Sequence, residues 1–163
     1  QHYTIENRPE YIGASGGLEY EAAWALGCDT GVDDIDALTY ANFLCNEDGW
    51  DPISFGSTVA AAMELFDIGA ITTEDTGGVE MKFGSAEALT KAAEMVSLGE
   101  GFGKDLGLGS KRLCEKYGHP GLSMTVFVAT PGSPTEESLR LLASWAMTED
   151  APRTAHRVAS TEV

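Results

Sequence analysis

Basic residues are scarce in this 163-residue sequence: 10 Lys and Arg stand against 26 Asp and Glu, a formal charge of −16. A phosphate-binding face needs clustered cations, so the balance argues against nucleic acid as a partner and against an anionic membrane surface. No apolar run approaches the ~20 residues of a membrane span, and no charged start followed by an apolar stretch reads as a signal peptide. Cysteine is scarce as well. Cys28, Cys45 and Cys114 are irregularly spaced and form no C-x-x-C pair. That pattern speaks against a disulfide framework and against a metal site built from this chain's thiolates, and it fits a reducing cytoplasm. The histidines are only His2, His119 and His156. None has a second ligand or a triad partner at useful spacing, so zinc and hydrolase readings fall away. The chain opens Gln1-His2-Tyr3 without an initiator Met, and a piece of something larger is the expectation.

What remains is ordinary for a folded domain. Hydrophobic residues at 43% and charged residues at 22% exclude general disorder. The length suits one domain able to bury its own core. The pattern is mainly α: short helices joined by Gly-rich turns, with residues 1–31 read as loop or irregular structure. Asp33, with Asp36 three residues on, is positioned to cap a first helix that places Ile35, Leu38, Ala41 and Cys45 on one face and ends at Gly49. Asp51-Pro52 forces a turn, and Ser57 is expected to cap a second helix with Val59, Met63 and Phe66 inward and Gly69 as its stop. Val79, Met81 and Phe83 alternate like a short strand. Ser85 opens a third helix through Leu89, Ala92, Ala93 and Val96, closed by Gly99. Five glycines between Gly99 and Gly109 argue against helix there, at ~1 kcal/mol each. A fourth helix is expected near Ser110–Tyr117, and one more from Thr135 through Leu139, Leu142 and Ala146. From Val126 onward there is no Lys, and three of the five Arg and three of the six Pro fall here. Residues 126–163 are therefore set apart as an atypical tail.

Several site readings fail on spacing. Asp29-x-Gly-x-Asp33-Asp34 has Asp34 and Tyr40 where a calcium loop needs Gly and Glu, and helix capping accounts for its acids. Gly99 through Asp105 lacks the spacing of a phosphate loop and a strand before it. Two acidic constellations stand out instead. One is Glu19-Tyr20-Glu21, two carboxylates around an aromatic. The other runs from Asn46 to Ser57, where a turn between helices can set Asn46 and Asp51 side by side as acceptors for ring N–H groups. The N–H groups following Gly56 would then meet a phosphate at a helix N-terminus. The plainer reading of that turn is a Gly C-cap followed by a Ser N-cap.

The ordered series formed by Glu19-Tyr20-Glu21, Gly27, Gly31 and Asp33 through Leu38 resembles the tungsten-containing aldehyde:ferredoxin oxidoreductase family. So do Leu44-Cys45-Asn46 through Asp51-x-Ile-Ser54-x-Gly56, Ala62 through Leu65, Phe83-Gly84-x-x-Glu87-Ala88-Leu89 and Gly101-x-Gly103-x-x-Leu106. The resemblance covers roughly residues 16–125. It implies the helical second domain of a larger enzyme, with 1–125 contacting one of two pterins that hold tungsten (sometimes molybdenum) near a [4Fe-4S] cluster. The family's D-x-x-G-L-D pterin signature is met by Asn46, Gly49, Trp50 and Asp51, with Asn for Asp and Trp for Leu. Asn keeps an acceptor oxygen and loses the charge. Ser54 and Gly56 follow in the same segment.

Glu21 matches the family glutamate beside the metal, implied to move a proton as water adds to an aldehyde; Glu19 is the fallback. The cluster ligands of the family lie outside this chain's matching positions, so no metal ligand is expected here and the isolated chain should be inert. The implied partners are the remaining domains of the same enzyme, ferredoxin and an aldehyde. A relative acting on an aromatic acyl-thioester is one alternative. Another, from a different class, is a non-enzymatic acidic helical interaction module.

Overall fold

A computed structural model describes residues 2–122. The tail 126–163 and the helix expected from Thr135 lie outside the described residues. The mainly helical expectation is met: among the described residues, six α-helices and a π-helical turn accompany a small ribbon. Residues 1–31 are more ordered than the sequence suggested. Strand β1 (Tyr3–Thr4) pairs antiparallel with β2 (Ser15–Gly16), and helix α1 (Tyr20–Ala23) runs directly into a π-turn, Trp24–Cys28. The wide hydrogen bonds of that turn join Asp29 N–H to the Trp24 carbonyl and Val32 N–H to the Gly27 carbonyl, both at 3.0 Å. The Thr30 hydroxyl donates to the Leu26 carbonyl at 2.5 Å and closes the turn. Three apolar residues of the run, Ala25, Leu26 and Ala22, are buried; the stretch was too short and too rich in Gly to show a period.

Helix α2 (Ile35–Asp48) is capped by Asp34, not by Asp33. Its Oδ1 accepts from the N–H groups of Asp36 (3.1 Å) and Ala37 (3.3 Å). The guanidinium of Arg8 holds Asp34 at 2.6 Å and Asp36 at 3.3 Å, so the segment that carries it is tied to the first turn. Leu38, Ala41 and Cys45 face inward as expected, whereas Ile35 is half exposed. As the first helical residue its side chain leans back over the turn before it, away from the core. Gly49, at φ 76°, stops the helix in the left-handed region that glycine enters without strain.

Helix α3 (Pro52–Asp67) begins six residues earlier than expected. Asp51 is the cap, with Oδ2 accepting from Ser54 N–H at 2.7 Å, and Pro52 sits at the first helical position, where a missing N–H costs nothing. Ser57 is therefore buried in the helix interior rather than a cap. The misreading came from Gly56, which looks like a boundary but answers a packing demand. A Cβ placed on Gly56 would lie 2.5 Å from the carbonyl carbon and oxygen of Ala25. The π-turn and α3 thus cross backbone against backbone. All residues from Phe55 to Met63 are buried, which makes α3 the central helix, apolar nearly all round.

Helix α4 (Ala86–Leu98) follows the sequence reading closely. Ser85 Oγ accepts from Ala88 N–H at 3.1 Å, Leu89, Ala92 and Ala93 are buried, and Gly99 ends it at φ 62°. The expected strand at Val79–Phe83 does not form: Met81 is fully buried, Phe83 is 49% exposed and the segment takes part in no ladder. The Thr76 hydroxyl instead donates to the Val79 carbonyl and holds a turn. The glycine-rich stretch contains a short helix after all, α5 (Gly103–Leu106); a Cβ on Gly103 would overlap the Met95 carbonyl of α4. Helix α6 (Ser110–Lys116) completes the set. Leu26, Met63, Leu65, Ile71, Met81, Leu89 and Leu113 form the heart of the core.

Replacing Gly56 with Ala should destabilise the chain by at least about 2 kcal/mol, since neither contacting atom is a side chain able to move aside. Urea unfolding followed by circular dichroism reads this; an unchanged midpoint would show that the helices separate without cost.

Candidate functional site

Glu19 occupies the position before α1 and Glu21 lies in its first turn; both are exposed and neither caps the helix through its side chain. Acidic groups at this end also interact favourably with the helix dipole.

The second constellation forms a continuous segment. Asn46 is exposed in the last turn of α2, and Gly49 turns the chain. Trp50 N–H donates back to the Cys45 carbonyl at 2.9 Å. The Trp50 ring stands edge-on to Phe55, centroids 4.8 Å apart, which pins the turn against α3. Asp51 spends Oδ2 on the cap of α3, leaving its other oxygen. Ser54 is exposed and Gly56 is buried. One expectation is overturned: the N–H groups following Gly56 are not at a helix N-terminus. They lie inside α3, where N–H groups bond to carbonyls four residues back, and so are not available to a phosphate.

The crossing of Gly56 on Ala25 joins the two constellations. Ala25 is one turn beyond Glu21, and Gly56 is in the early part of the helix that Asp51 caps. The helix of Glu21 and the α2–α3 turn are thereby held as one unit. Exposed Asn46, the remaining oxygen of Asp51 and the carbonyls at the end of α2 make the turn rich in hydrogen-bond acceptors. Such a set suits a flat heterocycle that presents N–H donors, and a pterin is one. The residues present fit that group.

One residue was missed. Asp29, read from sequence as part of a capping run, ends the π-turn half-buried against α3. Its Oδ2 is buried without a hydrogen-bond partner among the described residues. Burial pushes its carboxyl up to about 6; the nearby Ser57 hydroxyl works against the rise and the charge of Glu64 adds to it. The signal in the sequence was an acid directly closing the run Trp24-Ala25-Leu26-Gly27-Cys28.

The thiols of Cys45 and Cys114 are buried, which raises them to about 12 and about 11; Cys28 is exposed. Both buried thiols stay protonated at neutral pH and pack as small apolar groups. Among the described residues no group of three or more His, Cys, Asp and Glu is placed to hold a metal ion. His2 and His119 are exposed, and His156 lies outside the described residues. No helix among the described residues is long and apolar enough to cross a membrane.

The acceptor-rich α2–α3 turn and the glutamate-bearing helix are thus linked through α3. The family model described as aldehyde ferredoxin oxidoreductase, domains 2 & 3, matches residues 1–140, a range that runs past Thr125 into the tail. This chain belongs to that family. It is 46% identical over 121 residues to a tungsten-containing aldehyde ferredoxin oxidoreductase of Pyrococcus furiosus, a match covering 74% of this chain and 20% of the relative. A protein of the same description from Thermococcus kodakarensis is 37% identical over 139 residues, covering 76% of this chain and 23% of that relative. A third relative, the WOR-like subunit of an aliphatic sulfonate oxidoreductase from P. furiosus, is 32% identical over 98 residues, covering 60% and 16% respectively. The chain thus spans about a fifth of the length of the first two relatives.

Asp51→Ala should cost about 1 kcal/mol through loss of the α3 cap, and Asp51→Ser, which restores an acceptor, should recover most of it. Thermal unfolding of the two variants distinguishes this from a carboxylate with no structural task, for which both would behave like the wild type.

Proposed function

We propose that this chain is the pterin-contacting helical part of an enzyme that oxidises aldehydes to carboxylic acids and passes the electrons to ferredoxin. The observation that carries the reading is the locked pair of segments: the Asn46–Asp51 turn, matching the family's pterin signature, and the α1 helix bearing Glu21. In the full protein a tungsten ion held by two pterins, with a [4Fe-4S] cluster nearby, would supply a two-electron acceptor. The remaining domains of the same protein complete the site.

The overall change adds one water oxygen to R–CHO and releases R–COOH, two protons and two electrons. Asn46 and Asp51 would accept hydrogen bonds from ring N–H groups and so hold the heterocycle. Gly49 lets the chain reverse between them. Trp50, braced by Phe55, covers the apolar side and keeps water from the turn. Ser54 offers its exposed hydroxyl beside the cap, and Gly56 sets the spacing to α1. Glu21 takes the proton of the attacking water and returns it to solvent, with Glu19 as the alternative base.

This segment leaves the choice of aldehyde open, since one fold carries several substrates; the relative named for aliphatic sulfonate supports that view. On its own the chain is expected to be inactive.

The experiment is to sequence the DNA on both sides of this coding segment, express the complete protein and measure its tungsten content and aldehyde-dependent reduction of ferredoxin. Glu21→Gln should lower kcat by about 10²–10⁴-fold with tungsten content unchanged. A complete protein without tungsten or pterin would overturn the reading, and full activity in Glu21→Gln would move the base to Glu19.

A further inference from the structure

One side of α2 carries polar groups where a buried helix face is ordinarily apolar. Thr39 and Asn42 are 1% and 4% exposed. They stand three residues apart and are therefore neighbours on the helix surface. Asn46 follows Asn42 by one turn, which carries the polar stripe from the interior out to the exposed end of α2.

The Thr39 hydroxyl oxygen is buried without a hydrogen-bond partner among the described residues. A helical threonine has an easy remedy, because its hydroxyl can donate to the carbonyl four residues back. Thr58 in α3 does so to Ser54 at 2.7 Å, and Thr90 in α4 does so to Ala86 at 3.1 Å. Thr39 forgoes that bond, and a buried hydroxyl left unpaired carries its full desolvation cost. Its rotamer makes sense if the hydroxyl serves something beside the helix.

The ribbon supplies the room. Strand β2 lies against α2, and the nearest atom that a Cβ on Gly16 would meet is Asn42 Nδ2, at 3.7 Å. Gly16 is not among the glycines at positive φ, so the backbone does not demand glycine there. What glycine leaves is a space of about methyl size beside the N–H donors of a buried amide, and a water molecule is of similar size.

We propose that Thr39, Asn42 and Gly16 enclose a bound water that ties the β-ribbon to α2. The water accepts from Asn42 Nδ2 and donates to the Thr39 hydroxyl oxygen. Residues three apart on a helix have Cβ atoms about 5–6 Å apart, a span that one water closes with two hydrogen bonds of about 2.8 Å. Two polar partners meet the minimum for a buried water. The water pairs the Thr39 hydroxyl, and it gives the ribbon an uncharged hold on the middle of the helix. The proposal is independent of the redox reading.

The test uses the 163-residue chain. Oxygen-17 relaxation dispersion counts waters that stay longer than the protein takes to tumble, and it is blind to hydroxyl protons. Gly16→Ala, whose methyl fills the space, should show one such water fewer than the wild type, and Thr39→Val should show the same loss. Both variants should lower the thermal midpoint by several degrees. A dry site predicts the opposite sign. Valine would remove an unpaired hydroxyl, alanine would add an ordinary contact and restrict the unfolded chain, and both midpoints would rise. An unchanged water count in both variants, or a rise in both midpoints, overturns the proposal. If the variants fail to fold, the wild type decides alone: dipolar cross-peaks between a bound water and the Asn42 side-chain amide support the site, and their absence overturns it.

Discussion

The close approach of Gly56 to Ala25 is the constraint on which the arrangement rests. Because the contact is between main chains, it brings α3 nearer to the π-turn than any pair of side chains would permit, in line with the burial of every residue from Phe55 to Met63. It also sets the geometry of the site. Glu21 precedes the crossing by one turn on one side, and Asp51 caps the helix on the other. A second approach of the same kind, Gly103 on the Met95 carbonyl, seats α5 on α4. At both positions glycine serves packing inside or beside a helix, where its conformational freedom would ordinarily be a cost.

Glycine therefore explains both what the sequence discloses and what it hides. Gly49, Gly99 and Gly118 are legible because each does what a local rule says: it enters positive φ just past a helix. Ser85 is legible for the same reason. Gly56 and Gly103 have neighbours distant in sequence, and a local rule misassigns them as breaks. Asp34, the cap actually used, is also held by Arg8, 26 residues away, a partner no local rule shows. Met81 is a further case, since one inward residue in a turn imitates the alternation of a strand.

The site divides along the same line. Asn46, Gly49 and Asp51 could be picked out as a turn of acceptors from spacing alone, while the weight placed on Glu21 came from family resemblance and not from any pattern around it. Asp29 was beyond reach. Its chemistry arises from burial beneath α3 and from Ser57 and Glu64, and none of these is adjacent in sequence. An acid becomes unusual through the company the fold gives it.

The tie between Arg8 and the first turn of α2 has a different physical character from the glycine crossings. Arg8 is 39% exposed and works on Asp34 and Asp36 through charge, so mobile ions compete with it directly. As the screening length shrinks from ~10 Å at 0.1 M salt to ~3 Å at 1 M, the grip of the ribbon on α2 relaxes toward what Ile5, Ala14 and the stacked Tyr11–Tyr40 rings supply. Contact between uncharged main chains has no such dependence. Salt thus separates the molecule into an edge whose cohesion is tuned by its surroundings and a centre whose cohesion is not.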